Sequence, residues 1–265
     1  MKYVHRELGE AAEASNPGTK GMRREIVVLL LGTAALFLAG YFAIGWAVEL
    51  ALPRISVERE RAWFSNFKLG VTASTPTTET EIARFAYAQD ILAKLAARPG
   101  VPALDYKLVF LADKQPNAVA FPGGTIGITR GMLELADDES SIAFVLAHEL
   151  GHFAQRDHLR GIGRALGRGV VLALVFGDVG DMVSERAGAL LDLAHSRHQE
   201  SGADLFGLAL VHGAYGKTEG TDKVFVWLEQ RQRRPAWTYW TQTHPEPADR
   251  LERLREHAKT LGTTK

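Results

Sequence analysis

His148, Glu149 and His152 lie in a His-Glu-Leu-Gly-His run, the spacing at which a helix holds two metal-binding imidazoles with a base beside them. At about 3.6 residues per turn, positions i and i+4 sit one above the other. Both imidazoles then point the same way and can bind a divalent cation, while Glu149 flanks them and can act on a water activated there. A catalytic zinc site needs a third protein ligand and an open position. The chain has no cysteine, so any metal must be held by His, Asp and Glu. Downstream, Glu200 and Asp204 again stand at i and i+4, on a helix that continues through Leu205, Leu208 and Val211. Glu200 is the expected third ligand. Asp204 is the expected partner that orients an imidazole of the first helix, as zinc-bound histidines usually require. His195, His198 and His212 are read as non-ligands, because the Glu200 helix already supplies what the site needs. The expected load is one zinc ion per chain.

These side chains have to be positioned by a core, and 265 residues with 46% hydrophobic content can supply one. A formal net charge of zero, with no basic cluster interleaved with aromatics, argues against nucleic acid as a partner. Asp137 or Asp138 can cap the helix that carries His148 and His152, with Ile142, Val145, Leu146 and Phe153 as its inner face. Ahead of it, Thr75 to Thr78 reads as a linker ending in a helix cap. A helix then runs from about Glu79 to Ala97 with a stripe of Ile82, Phe85, Ile91, Leu92 and Leu95, and Arg98-Pro99-Gly100 stops it. Strands are expected over Tyr106 to Ala112, Asn117 to Phe121 and Thr125 to Thr129, the last two around Pro122-Gly123-Gly124. The segment 161–183 is glycine-rich and apolar in its middle. A buried helix is the first reading, with a lid or a membrane-dipping loop as alternatives. No internal repeat is visible.

From Ile26 to Val48 no residue is charged, and at about 1.5 Å per residue this run matches the thickness of a bilayer core. It reads as an uncleaved transmembrane signal anchor rather than a signal peptide, whose apolar region would be shorter. Lys20, Arg23 and Arg24 before the span, with Lys2 and Arg6 further out, outweigh Arg54, Arg59 and Arg61 after it. The N terminus is therefore expected in the cytoplasm and the bulk of the chain outside it, in the periplasm of a bacterium. Trp63, Phe64, Phe67 and Leu69 follow as interfacial anchors or as packing for the folded domain. The expected organisation is a mobile cytoplasmic tail (1–21), a transmembrane anchor (22–52), a juxtamembrane segment (53–77) and one further domain (78–265).

Four blocks in order give the chain a resemblance to a known family: Asn117 to Gly124 with Gly131-Met132-Leu133, His148 to His152, Arg197 to Asp204, and Thr243-His244-Pro245 with Arg250. From about Asp105 to Leu254 it resembles the membrane-associated gluzincin metallopeptidases typified by HtpX, BepA and the type I CAAX prenyl endopeptidases. The resemblance implies an α+β, mainly helical fold: a zincin-like metalloprotease domain with a small β-sheet, preceded here by one transmembrane helix. It implies that His148, His152 and Glu200 bind zinc and that Glu149 is the general base of peptide hydrolysis, which agrees with the spacing argument. His244 and Arg250 are the expected donors to the developing oxyanion. In part of the family the equivalent histidine instead sits on the zinc and holds the enzyme latent, so His244 carries two alternative roles. The backbone of Asn117, Ala118, Val119 and Ala120 is expected to bind a polypeptide substrate as an extended strand. Trp237, Tyr239 and Trp240 are core aromatics or line a subsite.

The departures from the family matter as well. One span in place of several puts prenylated substrates and intramembrane cleavage in doubt, and no repeat domain of the BepA kind is visible. The leading expectation is an anchored zinc endopeptidase that degrades misfolded or mistargeted envelope proteins. The alternative is a latent or chaperone-like module that holds unfolded segments and cleaves rarely.

Overall fold

The computed structural model of the protein describes residues 18–64, 72–176, 195–231, 244 and 247–263. The first element, α1 (Gly18–Ala51), holds the uncharged run and is long and apolar enough to cross a membrane. Many of its apolar side chains, Leu29, Leu36 and Phe42 among them, are exposed, as expected of a helix that presents most of its surface to lipid. A 3-10 turn (Leu52–Arg54) and α2 (Val57–Phe64) lead toward the folded region. Phe64 packs at Gly123, whereas Trp63 is exposed; Phe67 and Leu69 lie outside the described residues.

The helix expected from Glu79 forms as α3 (Glu79–Ala96). Thr78 and Glu81 close a reciprocal capping box, each side chain bonding the other's backbone N–H, which satisfies donors that a helix start leaves open. Ile91, Leu92 and Leu95 are buried and Phe85 packs against the core, but Ile82 is exposed. The stripe meets the core only from its second turn.

Three strands follow, β1 (Lys107–Leu111), β2 (Ala118–Phe121) and β3 (Thr125–Thr129), in the order β1-β3-β2. β1 runs parallel to β3, and β2 pairs with β3 as an antiparallel hairpin. Thr129 ends the sheet and caps α4 (Arg130–Leu135) by accepting from the Met132 N–H. Asp138 does the same for α5 (Glu139–Ala154), accepting from Ser141. α5 carries the His-Glu-Leu-Gly-His run and is buried on every side from Ser141 to Phe153, so it is the central helix of the core rather than one with a single inner face.

The chain then turns through Arg156 at φ 60° into α6 (Asp157–Phe176), which lies along α1. That gives the glycine-rich segment a helical form as far as Phe176; 177–194 lie outside the described residues. α7 (Arg197–Tyr215) is opened by a Ser196–Gln199 capping box and crosses α5. α8 (Lys223–Arg231) and α9 (Pro247–Thr263) close the fold, with Phe144, Leu208, Phe225, Leu251 and Leu254 forming a second apolar cluster between them and α5.

Small residues set the α5–α7 crossing. A methyl group on Gly151 would sit 2.8 Å from the Ala203 Cα, and one on Gly207 3.0 Å from the His148 backbone nitrogen. Neither gap admits a side chain without backbone movement. This close approach carries Glu200 and Asp204 on α7 to the two histidines of α5.

Candidate active site

His148, His152 and Glu200 converge in a pocket where none is more than 1% exposed. The two Nε2 atoms are 3.1 Å apart, His152 Nε2 is 3.4 Å from Glu200 Oε1, and His148 Nε2 is 3.6 Å from Glu200 Oε2. A tetrahedral cation with ligand bonds of about 2.0–2.1 Å sets ligand–ligand separations of about 3.3–3.5 Å. The three side chains therefore fit zinc in both donor type and spacing. Charge fits as well. Burial disfavours the Glu200 carboxylate, yet His244 beside it, hydrogen bonds from His152 and His244, and the Arg250 charge hold its carboxyl well below the usual range. Burial opposes charge on His152 too, but its hydrogen bonds to Asp157 and Glu200 outweigh that and push its ring up to about 10. Burial lowers His148 despite its Asp204 partner. The pocket is thus built to hold a positive charge between its imidazoles, as a proton or in its place a metal ion.

Each imidazole is oriented from behind. His148 Nδ1 is 3.0 Å from Asp204 Oδ1, and His152 Nδ1 is 2.9 Å from Asp157 Oδ2. The Asp204 contact is the one expected from the i, i+4 pairing with Glu200. Asp157 has no such signal: it follows the end of α5, and only the left-handed Arg156 folds it back beneath His152. Arg156 is held in that conformation by bonds to the carbonyls of Leu52, at 2.9 Å, and Ile55.

Glu149 lies beside the cluster, 1% exposed, with no hydrogen-bond partner on Oε1 among the described residues. Leaving such a buried carboxylate oxygen without a hydrogen bond is costly, and a chemical task is one reason for a protein to retain it. His244 Nε2 lies 3.8 Å from that oxygen.

His244 enters the cluster itself. Its Nδ1 is 3.3 Å from His148 Nε2 and 3.0 and 3.1 Å from the two Glu200 oxygens, so the ligand atoms of all four residues lie within 4.8 Å of one another. Arg250 lies behind Glu200. Its Nε and Nη2 bond Asp204 at 2.8 and 2.7 Å, and Nη1 is 2.6 Å from Glu200 Oε2. A guanidinium held this way binds two carboxylates. Thr243 and Pro245 lie outside the described residues, as do Trp237, Tyr239 and Trp240. His195, read as a non-ligand, stacks on His152 with centroids 3.9 Å apart, and burial followed by the charges of His152 and His244 drives its pKa down to about 2.

The expected substrate strand is β2, at the sheet edge and packed near α5. Its four residues are not equivalent. The Asn117 N–H donates to Thr129 Oγ1 at 2.8 Å and its carbonyl accepts from the Thr129 N–H at 3.0 Å. By the alternation of an antiparallel pair, Val119 also faces β3, whereas Ala118 and Ala120 turn their backbone groups away from it, Ala118 fully buried and Ala120 half-buried.

The family model for peptidase family M48 matches residues 83–258, which include every residue of this cluster. The chain belongs to peptidase family M48. The M48 chain is 28% identical over 176 residues to the mitochondrial metalloendopeptidase OMA1 of Schizosaccharomyces pombe, covering 64% of this chain and 52% of that protein. It is 28% identical over 168 residues to a putative beta-barrel assembly-enhancing protease of Vibrio cholerae, covering 58% and 35%. A protease HtpX homolog of Caldanaerobacter subterraneus subsp. tengcongensis is 23% identical over 290 residues, covering 89% of this chain and 95% of that protein. The chain spans about half the length of the first of these relatives and about a third of the second. Within the M48 chain the His148, His152 and Glu200 cluster fits the zinc site of an HExxH peptidase.

Proposed function

We propose that this chain is a membrane-anchored zinc endopeptidase that hydrolyses peptide bonds in unfolded or mistargeted envelope proteins. The observation that carries the reading is a Glu149 oxygen with no hydrogen-bond partner among the described residues, beside a buried, metal-shaped cluster of His148, His152 and Glu200. A zinc ion held by these three side chains would supply a Lewis acid that activates water and polarises a peptide carbonyl. Glu149 Oε1 takes the proton from the attacking water and returns it to the leaving amine. Asp204 and Arg250 are positioning groups: Asp204 holds His148, and Arg250 holds Asp204 and Glu200. The backbone of half-buried Ala120, on the side of β2 away from β3, binds an extended polypeptide with little regard to its sequence, which suits a substrate defined by being unfolded. Residues 26–48 of α1 lie in the bilayer of the inner membrane, a single pass with the catalytic domain on the periplasmic side.

The position of His244 favours a latent form of the same enzyme. Its Nδ1 stands at ligand distance from the cluster, where it competes with water for the open position. Replacing it frees that position, so His244→Ala should raise hydrolysis of casein, and treatment with a chelator should abolish the gain until zinc is returned. A fall of about a hundredfold at unchanged zinc content would instead make His244 an oxyanion donor.

A further inference from the structure

Asp157 does more than close a turn. Its Oδ2 is 2.9 Å from His152 Nδ1, while Oδ1 accepts from Gln199 Nε2 at 2.8 Å and from Arg160 Nη1 at 3.0 Å. Gln199 is the capping residue immediately before Glu200, so this carboxylate, 1% exposed, ties His152 to the start of the helix that bears the third ligand. Arg160 continues the chain of contacts outward. Its Nε lies 3.0 Å from both oxygens of Glu49, in the last turn of α1, and Arg164 lies 3.7 Å from the same carboxylate. Along the same seam α6 runs against α1 through glycines: a methyl group on Gly163 would meet Val48 at 2.9 Å, and one on Gly167 would meet Ile44 at 2.1 Å. A continuous series of polar contacts therefore runs from the end of the membrane helix to a metal-ligating imidazole, on an α6 that glycines allow to dock closely.

We propose that Asp157 is the positioning residue of His152, and that through Arg160 and Glu49 the docking of the membrane helix sets how well the site holds its metal. The inference rests on the metal-site reading of His148, His152 and Glu200. A histidine that ligates through Nε2 depends on the partner of its other nitrogen for tautomer, orientation and basicity. Here that partner is itself shared with an arginine anchored on α1.

The test is made on the full chain in lipid nanodiscs, reading zinc affinity by chelator competition and the visible absorption of the cobalt-loaded protein. Asp157→Ala should weaken zinc by about 10–100-fold and shift the cobalt band, since the donor strength of His152 changes. Asp157→Asn, which keeps the shape but not the charge, should fall between it and the wild type. Glu49→Gln is at the surface and spares the core. It should weaken zinc by about threefold, the scale of a partly exposed pair, and should add nothing further in the Asp157→Ala background. An unchanged zinc affinity and cobalt band in Asp157→Ala overturns the positioning role. An unchanged affinity in Glu49→Gln, or additive losses in the double variant, overturns the link to the membrane helix. His152→Ala separates the two levels: loss of zinc there beside a wild-type Asp157→Ala overturns only this inference, whereas retained zinc overturns the site reading and the inference together.

Discussion

Among single residues, the ones legible in the sequence are those placed by helical repeat. His148 with His152, and Glu200 with Asp204, are i, i+4 pairs, and a helix brings each pair to one face whatever the rest of the fold does. Arg250 and Asp157 are different. The six-residue step from His244 to Arg250 says nothing of which way a guanidinium turns, and the structure turns it onto Asp204 and Glu200. Asp157 depends on a positive φ at an arginine, for which no sequence pattern exists. The placement of Arg250 has a measurable consequence. Removing it leaves two buried carboxylates without their cation, and losing one partner of a buried pair costs about 3–5 kcal/mol. Arg250→Leu should lower stability to urea by that order and weaken zinc as well. Lost turnover at unchanged stability and zinc content would return Arg250 to the role of oxyanion donor.

Helices and strands were readable where local chemistry marks their ends. The Thr78 and Asp138 caps open α3 and α5, and Pro122-Gly123-Gly124 turns the hairpin. What periodicity could not say is how near α5 and α7 would come, because that is decided by residues with no side chain to count. Two glycines of this region should respond oppositely to the same substitution. Gly151→Ala places a methyl group 2.8 Å from the Ala203 backbone and should destabilise by about 1–3 kcal/mol, with weaker zinc binding. Gly213→Ala, on α7, meets nothing closer among the described residues than the Arg98 side chain at 3.5 Å and should be neutral or stabilise by up to about 1 kcal/mol. Denaturant unfolding of both proteins checks the contrast. Equal effects would mean that the crossing is not set by its small residues. The length and path of the glycine-rich helix were also hidden, since its run of apolar residues suits a buried helix and a membrane-facing one alike.

Taken whole, the molecule docks an exposed apolar helix on α6, whose first residue, Asp157, bonds an imidazole of the buried cluster. The separation of the expected elements was visible in composition: an uncharged run, then capped helices, then a short sheet. Their mutual docking was not, because contacts such as Glu49 with Arg160 link residues far apart in the sequence. The basic residues before the span predict that the catalytic domain lies outside the cytoplasm. An alkaline phosphatase fused after Lys265 should then be active in cells, and an inactive fusion with an active cytoplasmic reporter at the same site would reverse the orientation. Narrower than topology is the role proposed for Glu149, proton transfer at a zinc site formed by His148, His152 and Glu200. It is tested most directly by casein hydrolysis and zinc content in His244→Ala protein with and without Glu149→Gln, a background in which the open position is freed. Glu149→Gln should lower turnover by at least about a hundredfold while one zinc per chain remains bound. Hydrolysis undiminished by Glu149→Gln would contradict it.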